Sequence, residues 1–162
     1  MSTLQPVRFE QGRPMLFAGL RRKHTFASMS QDIPRQWDDF QELGGLPGQV
    51  GAAAYGAICG GDPQSQTMEY MCAVEVQSFE GLPKNLGRMR VPAVRYAVFL
   101  HGDNVATIQS TWREIVSSWL PSSGLRSANT PDFEVYDERF DGETGEGGVE
   151  IWLGVQPALH GG

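Results

Sequence analysis

The last strand-like segment of the chain would place an acidic and an aromatic side chain on the same surface. In residues 149–155 the branched apolar side chains alternate on one face, so Glu150 and Trp152 share the other face. A glutamate in a partly apolar cleft carries a desolvation penalty unless it is protonated or paired with a positive charge. A cationic ligand would supply that charge, and an indole would add about 0.5–2 kcal/mol through a cation–π contact. The segment therefore predicts a binding site for hydrophobic cations.

Aromatic, acidic and sulfur-containing residues elsewhere in the chain are candidates to complete this site. Flat aromatic walls and a flexible methionine accept ligands of varied shape, so we expect broad specificity. The predicted ligand-binding residues are Glu150, Trp152, Tyr136, Tyr55, Glu69, Met71, Trp37 and Trp112. Packing in the core is the alternative role for the helix tryptophans and the strand tyrosines, and a surface position is the alternative for Glu69. Glu134 is expected to be exposed, because Phe133 and Val135 occupy the opposite face of its strand.

A catalytic use of the same residues stays open. Glu150 would then activate a water molecule while a tyrosine hydroxyl steadies the leaving group. The sequence contains no nucleophile elbow, phosphate-binding loop or dinucleotide-binding fingerprint, so it favours binding over catalysis and predicts no catalytic residue and no cofactor. His24, His101 and His160 lack the spacing of zinc ligands, so no metal site is predicted.

Composition and charge limit the class of protein. The 162 residues carry a net charge of −6 at pH 7, which argues against binding to nucleic acid because polyanions attract clustered Lys and Arg. No run of about 18 apolar residues is present and residues 1–10 lack an apolar signal core, so we expect a cytoplasmic protein that does not span a membrane. Cys59 and Cys72 are accordingly expected to be reduced thiols. Residues 131–150 are strongly acidic, and a solvated hairpin loop explains them better than a metal-binding loop.

The chain repeats its own pattern. Tyr55 and Glu69 are fourteen residues apart, and Tyr136 and Glu150 follow 81 positions later at the same spacing. The apolar stripes of two predicted helices repeat with an offset of 75, and the strands before them with an offset of 79. Small insertions between two copies of one strand–helix–hairpin unit explain this drift. We therefore predict that superposing the two copies pairs Tyr55 with Tyr136, and that a ligand-sized crevice lies on the pseudo-twofold axis between them.

Local signals define the elements of each copy. Apolar residues at helical spacing follow a helix start at Asp32–Pro34, and a second apolar stripe follows a cap at Asp103 or Asn104. Strands are predicted at 14–25, 52–59, 68–76, 94–100, 133–140 and 149–155, and the helices end at Gly44 and Pro121. The predicted fold is thus a single α+β domain over residues 1–162. It contains duplicated βαββ units at about 14–76 and 93–156, joined by a linker at 77–92. An antiparallel sheet carries two helices that flank a central ligand cleft.

Four runs of residues in a fixed order resemble a known family. They are Tyr96-Ala97-Val98-Phe99-x-His101-Gly102, Trp119-Leu120-Pro121-x-Ser123-Gly124, Phe133-Glu134-Val135-Tyr136 and Val149-Glu150-Ile151-Trp152-Leu153. Tyr55-Gly56 and Ala73-Val74-Glu75-Val76 extend the similarity into the first half. These runs resemble the GyrI-like effector-binding domain, which occurs in bacterial gyrase inhibitory proteins and in the ligand-sensing parts of AraC-type and MerR-type regulators. The resemblance covers roughly residues 14–156.

The resemblance implies a duplicated βαββ fold that binds hydrophobic, often cationic, small molecules between aromatic walls and an acidic residue, which would be Glu150 here. The chain has no room for the helix-turn-helix module of the regulators, so direct DNA binding is not expected. Two further functions occur among single-domain relatives and stay open. These are the hydrolysis of strained electrophilic molecules by a Glu/Tyr pair and a gyrase-inhibitor-like role in protein binding.

Overall fold

The computed structural model describes residues 4–158 and forms one antiparallel sheet with helices on one side. The strands are β1 (Arg8–Gln11), β2 (Met15–Thr25), β3 (Ala54–Asp62), β4 (Thr67–Val76), β5 (Gly87–Val91), β6 (Arg95–His101), β7 (Leu125–Ser127), β8 (Asp132–Tyr136) and β9 (Val149–Pro157). The helices are α1 (Met29–Gln41), α2 (Ile108–Glu114) and α3 (Leu120–Ser122). A 3-10 turn (Val105–Thr107) precedes α2, and a π-helical turn (Ile115–Trp119) joins α2 to α3 into one continuous segment, called here the second helix.

The order of the strands shows the duplication. The sheet runs β1-β6-β9-β8-β3-β4-β2-β5, with β7 paired to the end of β9. β2, β4 and β3 on one side of the centre correspond in order and direction to β6, β9 and β8 on the other, and every pairing is antiparallel. The predicted α+β fold with duplicated βαββ units is confirmed.

Two short connections curl the sheet. Residues 12–14 join β1 to β2, and residues 92–94 join β5 to β6, although six strand positions separate the members of each pair. Six positions of a flat sheet span about 29 Å, whereas a three-residue link reaches only about 14 Å. The two ends of the sheet must therefore approach each other, and the amide of Gly12 donates a 2.7 Å hydrogen bond to the carbonyl of Val94 between the two links. The sheet thus has an inner, concave face and an outer face that carries the helices.

The inner face is filled by its own side chains. Phe17, Tyr96 and Phe133 are essentially fully buried there. Their rings contact the half-buried Tyr55 and Trp152; the ring centroids of Phe17 and Tyr55 lie 4.7 Å apart, and those of Phe133 and Trp152 lie 5.5 Å apart. Curling the sheet therefore buries this aromatic cluster without a covering helix.

The helices pack on the outer face over two separate clusters. α1 covers the end of the sheet near Ala18 and Cys72, and the second helix covers the end near Ala97 and Phe99. The central strands β3 and β8 lie between these two clusters. The space above the central strands is the helix cleft. Among residues 4–158, no helix is both long enough and apolar enough to cross a membrane.

Several details differ from the prediction. α1 begins at Met29, three residues before the expected start, and Pro34 lies inside it, which is tolerated because Ser30 and Pro34 face solvent. The predicted linker contains β5. Exposed Arg88 and Arg90 alternate there with buried neighbours, which is the period of a strand, but five residues are too few to make this pattern distinct in the sequence. The cap of the second helix is Asn104, whose side chain accepts from the amide of Ala106 at 2.9 Å.

The predicted equivalence of Tyr55 and Tyr136 is wrong. Tyr55 pairs with Val135, so its side chain shares a face with that residue, and Tyr136 points to the other face. A twofold axis perpendicular to the sheet preserves faces, so it cannot superpose the two tyrosines. Tyr55 belongs to the inner cluster and Tyr136 to the helix side. The shared spacing of fourteen residues is a coincidence of two hairpins with different loops.

Candidate ligand-binding site

Glu134 lies at the floor of the helix cleft. It is on β8, directly opposite Gly56 of β3, and only 4% of its surface is exposed. Its Oε1 accepts hydrogen bonds from the hydroxyls of Tyr70 at 2.7 Å and Tyr136 at 2.6 Å. Its Oε2 accepts a bond from the indole nitrogen of Trp112 at 2.8 Å. The carboxylate is therefore held by three neutral donors from β4, β8 and the second helix.

A glycine makes this geometry possible. A Cβ atom at Gly56 would overlap the hydroxyl of Tyr70 and would lie 2.6 Å from Oε1 of Glu134. Any side chain at this position would push the tyrosine hydroxyl away from the carboxylate. The absence of a side chain on β3 thus lets β4 reach across to β8.

The two helices supply the aromatic walls of the cleft. Trp37 of α1 donates from its indole nitrogen to the hydroxyl of Tyr70 at 3.2 Å, and its ring centroid lies 5.0 Å from that of Tyr136. Trp112 stands on the other wall and bonds Glu134 directly. Trp37, Trp112 and Tyr136 are each half-buried, so they separate the carboxylate from solvent while keeping one edge exposed.

Buried polar contacts fix each helix to the sheet beside the cleft. The amide nitrogen of Gln36 donates to the carbonyls of Leu20 and Tyr70, each at 2.9 Å, and its Oε1 lies 2.6 Å from Nε2 of His24. Since the amide oxygen can only accept, we assign the hydrogen to Nε2 of His24. On the second helix, Thr111 bonds Nδ1 of His101 at 2.7 Å. Each helix is therefore tied to the end of the strand that precedes it.

The electrostatic feature of the cleft is the buried carboxylate of Glu134. Burial raises the pKa of Glu134. The hydrogen bonds from the two tyrosines and from Trp112, together with a smaller electrostatic effect of His101, only partly offset this rise. None of the ion pairs found among residues 4–158 includes Glu134. A cation brought into the cleft would supply the ion-pair partner that residues 4–158 do not provide.

The predicted ligand-binding residues divide between the two faces of the sheet. Trp37, Trp112 and Tyr136 meet in the helix cleft. Glu150, Trp152, Tyr55, Glu69 and Met71 do not reach it. Met71 and Tyr55 belong to the inner cluster, while Glu69 bonds Arg21 at 2.6 Å on the hairpin. A ligand-binding role for each of these residues stays a prediction, but they do not form one site.

Glu150 is already neutralised. Arg8 donates two hydrogen bonds to its carboxylate at 2.9 Å, Arg139 lies 3.2 Å away, and the indole of Trp152 donates at 3.0 Å. Burial raises the pKa of Glu150, but the hydrogen bonds from Arg8 and Trp152 outweigh it and leave the pKa below its usual value. Cation binding was predicted at Glu150 because an unpaired carboxylate would need a positive charge. Arg8 and Arg139 already supply that charge.

Glu134 and Tyr70 are absent from the ligand-binding residues predicted from the sequence. The expectation that Glu134 is exposed is wrong, because the face it shares with Tyr136 is the one that the helices cover. A signal was present, since residues 134 and 136 are two apart on one strand and must share a face. Placing Tyr136 in the site implied placing Glu134 there as well.

Comparison with known proteins supports a ligand-binding role for this fold. Residues 8–155 match the family described as Cass2, the integron-associated effector-binding proteins. The chain belongs to this family. The resemblance to GyrI-like effector-binding domains is thereby confirmed, and effector binding is what the family description records.

Solved structures share the fold of this effector-binding domain. The structure of SAV2435 bound to tetraphenylphosphonium superposes with a TM-score of 0.73 at 20% identity, covering 92% of this chain and 93% of that one. The integron cassette protein from the mobile metagenome of Vibrio cholerae gives 0.67 at 17% identity over 94% and 97%. The C-terminal domain of EcmrR gives 0.67 at 16% identity over 97% and 100%. At these identities the similarity establishes the fold alone.

A curated relative is a larger regulator. The transcriptional regulator BrlR of Pseudomonas aeruginosa is 37% identical over 89 residues, which are 55% of this chain and 32% of BrlR. The match thus spans about a third of that protein's length.

Proposed function

We propose that this protein is a binding module for hydrophobic organic cations, which enter the helix cleft and pair with Glu134. The observation that carries the proposal is a 4%-exposed carboxylate with three neutral hydrogen-bond donors and no positive partner among the described residues. Binding of tetraphenylphosphonium by the structural relative SAV2435 supports the choice of ligand class.

Aromatic side chains determine how a ligand would be held. Trp37, Trp112 and Tyr136 surround the carboxylate, and their faces attract a cation by about 0.5–2 kcal/mol each. These rings now fill the space over Glu134, so a bulky ligand must displace at least one of them. The tryptophans are the movable pair, since both are half-buried and each makes one indole hydrogen bond. Stacking surfaces without directional polar groups accept ligands of different outline.

The carboxylate determines which charge is preferred. A phosphonium cannot donate a hydrogen bond, so its gain from Glu134 is the attraction between two charges. At a separation of about 6–10 Å and an effective dielectric constant of about 20, this attraction is about 1.5–3 kcal/mol, which is roughly ten- to a hundredfold in affinity. This contribution exists for a cation only, because a neutral ligand of the same shape displaces the same rings but brings no charge to pair with Glu134.

The test compares methyltriphenylphosphonium with neutral triphenylphosphine oxide, which has nearly the same shape. Both are titrated calorimetrically into the parent protein, Glu134→Gln and Glu150→Gln. In Glu134→Gln we expect the phosphonium to lose roughly ten- to a hundredfold in affinity and the oxide to change little. Glu150→Gln is the matched control on the opposite face and keeps the preference for the phosphonium. Equal losses for both compounds in Glu134→Gln, or a selective loss in Glu150→Gln, would show that Glu134 is not the cation's partner.

A second candidate function is the hydrolysis of strained electrophiles. It is favoured by the two tyrosine hydroxyls within 2.7 Å of Glu134, which is the Glu/Tyr pairing that such a reaction needs, at Glu134 instead of Glu150. Incubation with an aryl epoxide separates the two functions. Formation of a diol that is lost in Glu134→Gln would support catalysis, and binding without turnover would support the binding module.

A further inference from the structure

A cavity lies on the inner side of the sheet, away from the helix cleft. Its volume is about 440 Å³, and it is lined by Arg13, Tyr55, Glu75, Asp137, Glu138 and residues 50–53. Its outer wall is the loop that follows α1, held by hydrogen bonds from Val50 to the carbonyl of Glu75 at 2.8 Å and from Gln77 to that of Gly48 at 2.9 Å. This volume is within the usual range for small-molecule sites.

The floor of the cavity contains a buried carboxylate that holds a guanidinium. Glu75 is 6% exposed and accepts two hydrogen bonds from Arg13, at 2.5 and 2.7 Å, one on each carboxylate oxygen. The side chain of Arg13 is itself 63% exposed, and it comes from the three-residue link between β1 and β2. The carboxylate is thus fixed by the sheet, whereas its partner reaches it from solvent.

The rest of the lining is acidic on one side and apolar on the other. Asp137 is bonded by Arg139 at 2.8 Å, and no ion pair involves Glu138 within the part of the chain that the structure describes. With Glu75 paired to Arg13 and Asp137 paired to Arg139, Glu138 leaves the lining with a negative charge, which favours a positively charged ligand. The ring of Tyr55, stacked on Phe17, forms an apolar surface beside Glu75 together with the alanines of residues 52–53.

We infer that this cavity is a second small-molecule site, specific for planar amidinium or guanidinium compounds with an aromatic or aliphatic body. The ligand's two parallel N–H groups take the place of Arg13 on Glu75, and its body lies against Tyr55. The exchange keeps both hydrogen bonds and the net charge, and the displaced arginine returns to water, so little is lost by breaking the original pair.

This site differs in chemistry from the helix cleft and does not rest on the function proposed there. A phosphonium or quaternary ammonium has no N–H groups, so it cannot replace the two hydrogen bonds of Arg13. A flat amidinium satisfies Glu75 but lacks the bulk to displace the tryptophans over Glu134.

The test uses benzamidinium, with neutral benzamide as its planar control, titrated by ligand-observed NMR. The proteins are the parent, Arg13→Ala, Arg13→Lys and the double variant Arg13→Ala/Glu75→Gln. Removal of the competing guanidinium should tighten benzamidinium binding about three- to tenfold in Arg13→Ala, with a smaller gain in Arg13→Lys, whose ammonium bonds the carboxylate at one point. The double variant should lose about tenfold or more relative to Arg13→Ala, and benzamide should not distinguish the proteins.

Competition and the cleft variant complete the test. Benzamidinium binding should be unchanged in Glu134→Gln and insensitive to saturating methyltriphenylphosphonium. Equal benzamidinium affinity in Arg13→Ala and the double variant would overturn the inference, as would competition between the two cations. If Arg13→Ala is too unstable to titrate, Arg13→Lys, which keeps the positive charge, takes its place in the comparison of benzamidinium affinity with the parent.

Discussion

Asp132 makes the stability of this protein depend on pH near neutrality. It is a partly buried residue at the start of β8, where its Oδ1 accepts a 2.8 Å hydrogen bond from the amide of Gly154. Burial raises the pKa of Asp132 from 3.8 to about 7, against the lowering effect of that hydrogen bond. Because the folded-state pKa is above the unfolded one, its stabilising contribution is complete below about pH 4 and is lost as the pH rises through about 7.

The magnitude follows from the shift. Three pKa units correspond to about 4 kcal/mol of unfolding free energy, and partial contact with solvent reduces this to about 2–4 kcal/mol. Asp132→Asn removes the titration but keeps an oxygen that can accept from Gly154. We therefore expect the variant to be more stable than the parent by at most about 1 kcal/mol near pH 4.5 and by about 2–4 kcal/mol near pH 8.

Urea unfolding of both proteins at intervals between pH 4.5 and 8.5 measures this difference. Asp137→Asn is the control with the opposite sign, because the hydrogen bonds from Arg139 lower the pKa of Asp137. That variant should be less stable than the parent at pH 8, with a difference that shrinks toward acid pH. A stability gain in Asp132→Asn that is the same at every pH would refute the reasoning, since it would not come from an ionised carboxyl group.

Three further outcomes test the cleft. Gly56→Ala should lower the unfolding free energy and abolish phosphonium binding, because the added Cβ overlaps a tyrosine hydroxyl. In the control Gly61→Ala the added Cβ meets no atom closer than 3.6 Å, so this variant should bind normally in the same calorimetric assay. Gln36→Leu should destabilise the protein to urea by about 2–4 kcal/mol through buried groups left without partners, and the exposed Gln31→Leu on the same helix should not. Burial raises the pKa of Glu134, so phosphonium affinity should fall about tenfold per pH unit below that pKa as the carboxylate is protonated. The affinity for triphenylphosphine oxide should stay constant. Parallel losses for both ligands would contradict the assignment of Glu134 as the cation's partner.

The sequence by itself determined the fold and the two helix tryptophans that form the walls of the cleft. Alternation and helical spacing were sufficient to predict the duplicated βαββ units, and both helix tryptophans of the predicted site, Trp37 and Trp112, do face the central strands. Local periodicity carries this information, because a strand or a helix buries the same face that its sequence pattern marks.

Tertiary structure decided which buried carboxylate forms no ion pair among residues 4–158. Alternation showed that Glu150 and Trp152 share a face, but both faces of this sheet are buried, one by the helices and the other by the curl of the sheet. The residue that neutralises Glu150 is Arg8, which is 142 positions away in the chain. No local pattern reports such a contact, because an ion pair depends on where the chain returns in space, and the period of a strand fixes only which side chains point the same way.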